Sequence, residues 1–154
     1  MAIPVYLWLY DEEDDLVRGD VDINRREGSI EIVGIQHDVF LPTDDLTGQR
    51  PQCASMRHIH SKKKLTALRL CHYRSRTMVR SLTKAIFRYY HINYNGMEEE
   101  YFNIILENVK ICHVVPIMFD IKDPDFKKHR HIEHVGLRYE KITWNYVDGN
   151  NPAH

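Results

Sequence analysis

The sequence predicts a mainly β protein, and three observations carry that expectation. Apolar residues alternate with period 2 at the N-terminus, an Asn-Gly pair separates two β-prone runs, and a long aromatic and β-branched stretch lies near the C-terminus. Convincing helical periodicity is scarce by comparison.

The first strand follows from Ile3, Val5, Leu7 and Leu9, which alternate with Pro4, Tyr6, Trp8 and Tyr10. After the turn-like REG, SIEIV (Ser29 to Val33) repeats the alternation, and QHDVFL continues the sheet past a bend at Gly34. Asn95-Gly96 predicts a tight type I′ hairpin, whose two central residues need positive φ. Its strands run from about Ala85 to Tyr94 and from about Glu98 to Leu106. Lys110 to Val115 is a third strand, ended by Pro116 because proline cannot donate to a ladder. Ile132 to Tyr146 is a long β run closing at Asp148-Gly149. Lys64 to Val79 is a thin helix candidate, with Leu65, Leu68 and His72 at 3- and 4-residue spacing. Pro42 to Gln52 and Asp120 to His131 read as loops.

With 154 residues, 43% hydrophobic and 28% charged, the chain fits one globular domain, 1–154, with no repeat or linker to divide it. Its net charge of −1 conceals an asymmetry. Between Asp45 and Glu98 there are eleven Lys and Arg, Arg50 through Arg88, and no acid, so the flanks hold ten cations against all 22 acids. Such a block suits a polyanion partner, and Tyr73, Phe87, Tyr89 and Tyr90 could stack on single-stranded bases. A small β-barrel that binds nucleic acid through the basic segment 50–88 is therefore one reading. The other is that these aromatics serve the core.

Enzyme chemistry finds no anchor. No phosphate loop, dinucleotide fingerprint or nucleophile elbow is present, and Glu98, Glu99 and Glu100 read as charge protecting a sheet edge. His129 and His131 would share one face of a strand, but His134 would point to the other, so the string reads as a charged strand start and no metal or cofactor is assigned. Cys53, Cys71 and Cys112 lack disulfide or metal-ligand spacing and read as packing residues of a reduced protein. No signal peptide or span of roughly 20 apolar residues occurs, so membrane insertion is not expected.

The flanking blocks MAIPVYLWL, REGSIEI, LPTDDLTG, EEEYFNIILENVKI, DIKDPDFKKHRHIEHV, LRYEKITW and DGN occur in order across roughly 1–48 and 85–150. Together they resemble the haemolysin-coregulated protein (Hcp) family, the inner tube of the bacterial type VI secretion system. The resemblance implies a compact β-barrel of two sheets with one flanking short helix, assembling as a homo-hexameric ring. Rings would stack into a tube, expelled by sheath contraction together with its spike and carrying small effectors in the lumen. It implies residence in the bacterial cytoplasm before firing, then secretion without a signal peptide. No catalytic residue or cofactor is implied, and nucleic acid drops behind as a partner. LPTDDLTG matches the family's ring-stacking loop, which carries stacking over to Pro42, Thr43, Asp44, Thr47 and Gly48.

From about Gln52 to Lys84 the family pattern disappears. With synonymous codons chosen for Lys62 to Leu70, skipping two nucleotides spells KEIDSSSP, a family segment. At the same offset Thr77 to Arg80 gives NGQ, seven overlapping codons later, again as in the family. Segment 52–84 is therefore read as out of frame, from a frameshifted allele or a sequencing error, against the alternative of a diverged basic segment. The expected consequence is loss of the helix and of a neighbouring strand edge, with weaker folding and assembly.

Overall fold

The computed structural model describes residues 3–40, 56–64, 82–120, 122–125 and 131–147. Eight strands appear: β1 (Val5–Tyr10), β2 (Leu16–Val17), β3 (Ile30–Phe40), β4 (Met56–Lys64), β5 (Leu82–Ile92), β6 (Glu98–Ile117), β7 (Ile132–Arg138) and β8 (Lys141–Tyr146). They form one antiparallel sheet in the order β2-β1-β3-β4-β7-β6-β5, and β1 also pairs with β5. That last pairing closes a six-stranded barrel; β2 and β8 hang outside it on β1 and β6. Closure removes the free edges that an open sheet would present. The expected β-barrel is thus present, but the described residues contain no helix, and the helix candidate falls on 65–79, outside them. Lys64 ends β4 instead.

Inward-facing Leu7, Leu9, Ile32, Ile59, Ala85, Phe87, Leu106 and Leu137 are almost completely buried and fill the barrel. At about 25 cal/mol per Å² of apolar area removed from water, such a core is the main stabilising contribution. The expected alternation in β1 holds for Leu7 and Leu9, yet Tyr6 and Trp8 on the opposite face are buried as well. Cations cover them: the guanidinium carbon of Arg26 lies 4.6 Å from the Tyr6 ring centroid, and that of Arg88 lies 4.8 Å from Trp8.

The bend expected at Gly34 is a register shift between Ile32 and Gly34 in the β3–β4 ladder. The hairpin between β5 and β6 lies where Asn95-Gly96 placed it, but it is not type I′. Only Gly96 has positive φ (75°). The Asn93 carbonyl accepts from Gly96 N at 3.0 Å, and Asn93 Oδ1 accepts from the amides of Asn95 and Met97 at 3.0 Å each. The side chain of Asn93 therefore organises a wider loop with a single left-handed residue.

Two expected strand ends also move. Glu98 to Ile117 is a single strand that pairs with β5 along one flank as far as Val109, while on the other flank β8 gives way to β7 between Glu107 and Lys110. Asn108 makes the change at φ 52°, a conformation asparagine tolerates better than most residues, and its side chain donates to Glu140 Oε2 at 2.9 Å. Pro116 sits inside this strand opposite Glu133, and β6 continues beside β7 to Ile117. The long C-terminal run divides at Tyr139 and Glu140, so that β7 and β8 lie end to end along β6.

Among the described residues the departing segment leaves no open edge. Its residues 56–64 form β4, which pairs with β3 on one side and β7 on the other. MRHIHSKKK keeps a period-2 pattern: Ile59 and Ser61 face the core, and His60 and Lys62 face outward. Ser61 is accommodated because its hydroxyl donates to the Val135 carbonyl at 3.3 Å.

Candidate assembly surfaces

Pro42, Thr43, Asp44, Thr47 and Gly48 lie outside the described residues. Their flanks are placed: β3 and β4 pair as far as Phe40 opposite Met56.

The N-terminal loop is fastened to the hairpin by Arg26, a buried residue. Its guanidinium lies between the rings of Tyr6 and Tyr90, 4.6 and 4.0 Å from their centroids, and it ion-pairs with Glu98. Burial disfavours its charge, but hydrogen bonds to Glu98 and Tyr6 outweigh that and raise its pKa. Glu98 and Glu100 are therefore engaged rather than merely solvated; Glu100 accepts from Asn103 at 2.9 Å and faces Arg88 at 3.8 Å. The charge run could not reveal this, because Arg26 is remote in sequence.

Along β8 the inner face of the barrel continues outward. Phe102 stands opposite Tyr146, Ile104 opposite Trp144 and Leu106 opposite Ile142. Ile104 and Leu106 are buried, whereas Trp144 and Tyr146 are 53% and 63% exposed. Trp144 lies 6.0 Å from the ring of His37, which is hydrogen-bonded through Nε2 to the Tyr139 hydroxyl at 2.6 Å. Burial lowers the pKa of His37, partly opposed by Asp38.

The aromatics considered for base stacking are committed elsewhere. Phe87 is fully buried, Tyr89 packs edge-on against Phe102 at 5.3 Å, and Tyr90 lies under Arg26. Tyr73 is outside the described residues. Of the histidine string, His129 is also outside, His131 precedes β7, and His134 lies on β7 opposite Lys62 and Val115. Among the described residues no group of three or more His, Cys, Asp or Glu is arranged to hold a metal ion. Cys112 is exposed rather than packed in the core, with its thiol pKa pushed up by partial burial and pulled back by Arg138.

A family profile described as type VI secretion system effector, Hcp, matches residues 6–146. The chain belongs to the Hcp family. An Hcp1 structure from Escherichia coli EAEC 042 shares 42% identity, with a TM-score of 0.80, over 97% of this chain and 95% of that one. The secreted protein Hcp3 from Pseudomonas aeruginosa shares the fold at a TM-score of 0.69 and 19% identity, over 94% and 91%. The major exported protein of P. aeruginosa is 24% identical over 155 residues, which span 95% of this chain and 90% of that protein. This Hcp chain thus has the family's barrel in its described residues. The Hcp match also crosses the segment that departs from the family pattern, where β4 still completes the ladder.

Proposed function

We propose that the protein is a structural subunit of the type VI secretion tube: hexameric rings stack into a tube that sheath contraction expels. The observation that carries this reading is the family match over 6–146 on a closed barrel. Export of the protein follows by analogy with the major exported protein and the secreted Hcp3. Small effectors occupy the lumen, and sheath and spike proteins are the other partners. The role is associative, with no catalytic residue. A subunit of this kind should expose apolar surface for a second copy to cover, and the exposure of Trp144 and Tyr146 on β8 supports that reading. Stacking between rings is assigned to Pro42, Thr43, Asp44, Thr47 and Gly48. The whole of 1–154 acts as one barrel domain, with 52–84 out of frame relative to its family.

Negative-stain electron microscopy of purified protein tests the reading. Six-membered rings, and tubes at high concentration, are expected; a monomer at all concentrations would overturn it.

A further inference from the structure

Three histidines that the sequence scatters over 75 residues meet on the outer face of β4, β7 and β6. His60, Gly136 and His113 stand directly opposite one another across the three strands. The His60 and His113 rings approach to 5.2 Å between centroids. Glycine is what permits this: a Cβ on residue 136 would lie 2.2 Å from Cε1 and 2.4 Å from Nδ1 of His113. On the next rung of the same face, His134 stands opposite Lys62. A groove of about 410 Å³ opens here, lined by Gly34, Gln36, His60, Lys62 and His134 among others.

We propose that this groove is a binding site for a phosphate group, either free or carried on a small molecule. Its lining supplies N–H donors and cationic charge together. Lys62 contributes a permanent charge, the imidazoles contribute charge on protonation, and Gln36 contributes an amide. Among the described side chains this face also carries further charged groups. From β7 and β6 the same face presents Arg138 and Lys110; on β3 the acids of this face are Glu31 and Asp38, the latter with Oδ2 accepting from Gln36 Nε2 at 3.1 Å. Cys112 lies at the register shift before His113, and Glu133 faces the barrel interior. Burial first, then the fields of Lys62, His113 and His60, hold His134 below the ordinary histidine range. A phosphate dianion in the groove would relieve that repulsion and favour imidazolium. A divalent metal would add to it, and the rings do not converge as a three-ligand set.

The test is a histidine Cε1–H NMR titration from pH 5 to 8, repeated with inorganic pyrophosphate, with ATP, and with sodium chloride at matched ionic strength. The expected result is that pyrophosphate raises the proton affinity of His134 and of at least one of His60 and His113 about tenfold beyond chloride. Binding should then be about tenfold tighter at pH 5.5 than at pH 8 for each histidine so shifted. An equal response to ATP identifies the phosphate group as the whole determinant, and a larger one adds contacts from the carrier; both support the site. Lys62→Gln and His134→Gln should each abolish most of the response, whereas Lys141→Gln, on β8, should leave it intact. Equal shifts with chloride overturn the proposal, and so does the lack of any response to pyrophosphate.

Discussion

Arg26 and Glu98, 72 residues apart in the chain, form an ion pair that ties the loop before β3 to the start of β6. The guanidinium of this pair also stacks on Tyr6 and Tyr90. Arg26→Ala is therefore expected to destabilise the protein by about 2 kcal/mol, below the value for a fully buried pair because Glu98 is half exposed. Arg26→Lys should recover less than half of the loss, since an ammonium cannot stack as a planar group. Urea denaturation measures both; full recovery by lysine would show that charge alone matters.

Two aromatics should behave in opposite ways. Phe87 is fully buried, so Phe87→Ala should cost roughly 3–5 kcal/mol of monomer stability. Trp144 is half exposed, so Trp144→Ala should cost less than about 1 kcal/mol yet reduce ring formation. Thermal melts paired with analytical ultracentrifugation separate the two effects. Unchanged rings in the Trp144 variant would remove β8 from the interface.

Combined alanine and glycine substitutions at Pro42, Thr43, Asp44, Thr47 and Gly48 should leave single rings while weakening tubes. Particle lengths in electron micrographs provide the readout, and tubes of undiminished length would refute the stacking role.

Acid should weaken the fold partly through His37. Its folded pKa is lowered by burial despite Asp38, so protons favour the unfolded chain. The associated stability is fully present above the unfolded value near 6.5 and is lost as pH falls through the lower folded value. His37→Gln should flatten the pH dependence of stability below pH 6.5, as read from denaturation midpoints at pH 5 and pH 8. An unchanged slope would acquit His37.

Peptide mapping of the natural protein across 52–84 tests the frame reading. Peptides carrying KEIDSSSP would establish a sequencing error. Peptides matching the stated residues would eliminate it, and β4 explains how such a chain still closes its barrel.

Most strands were legible because β1, β3, β5 and β6 carry strong alternation between turn signals. The Gly34 bend was legible for the same reason, since glycine inside an alternating run marks a bulge. Element ends were less so. One flank of β6 passes from β8 to β7 around Asn108 without any local punctuation, and Pro116 ends nothing, since β6 runs on beside β7 to Ile117. The hairpin type escaped the Asn-Gly signal because Asn93, two residues earlier, supplies the competing hydrogen bonds.

By itself the sequence determined the class of fold, the family and the absence of recognisable catalytic motifs, all of which rest on local patterns of residue type and order. Only the tertiary structure decided which distant residues meet. Barrel closure brings β1 to β5, which seals the core and buries Phe87. Cross-strand register sets His60 beside His113 over Gly136 and places Arg26 between two tyrosines. Register is a property of paired strands, so no single stretch of chain contains it.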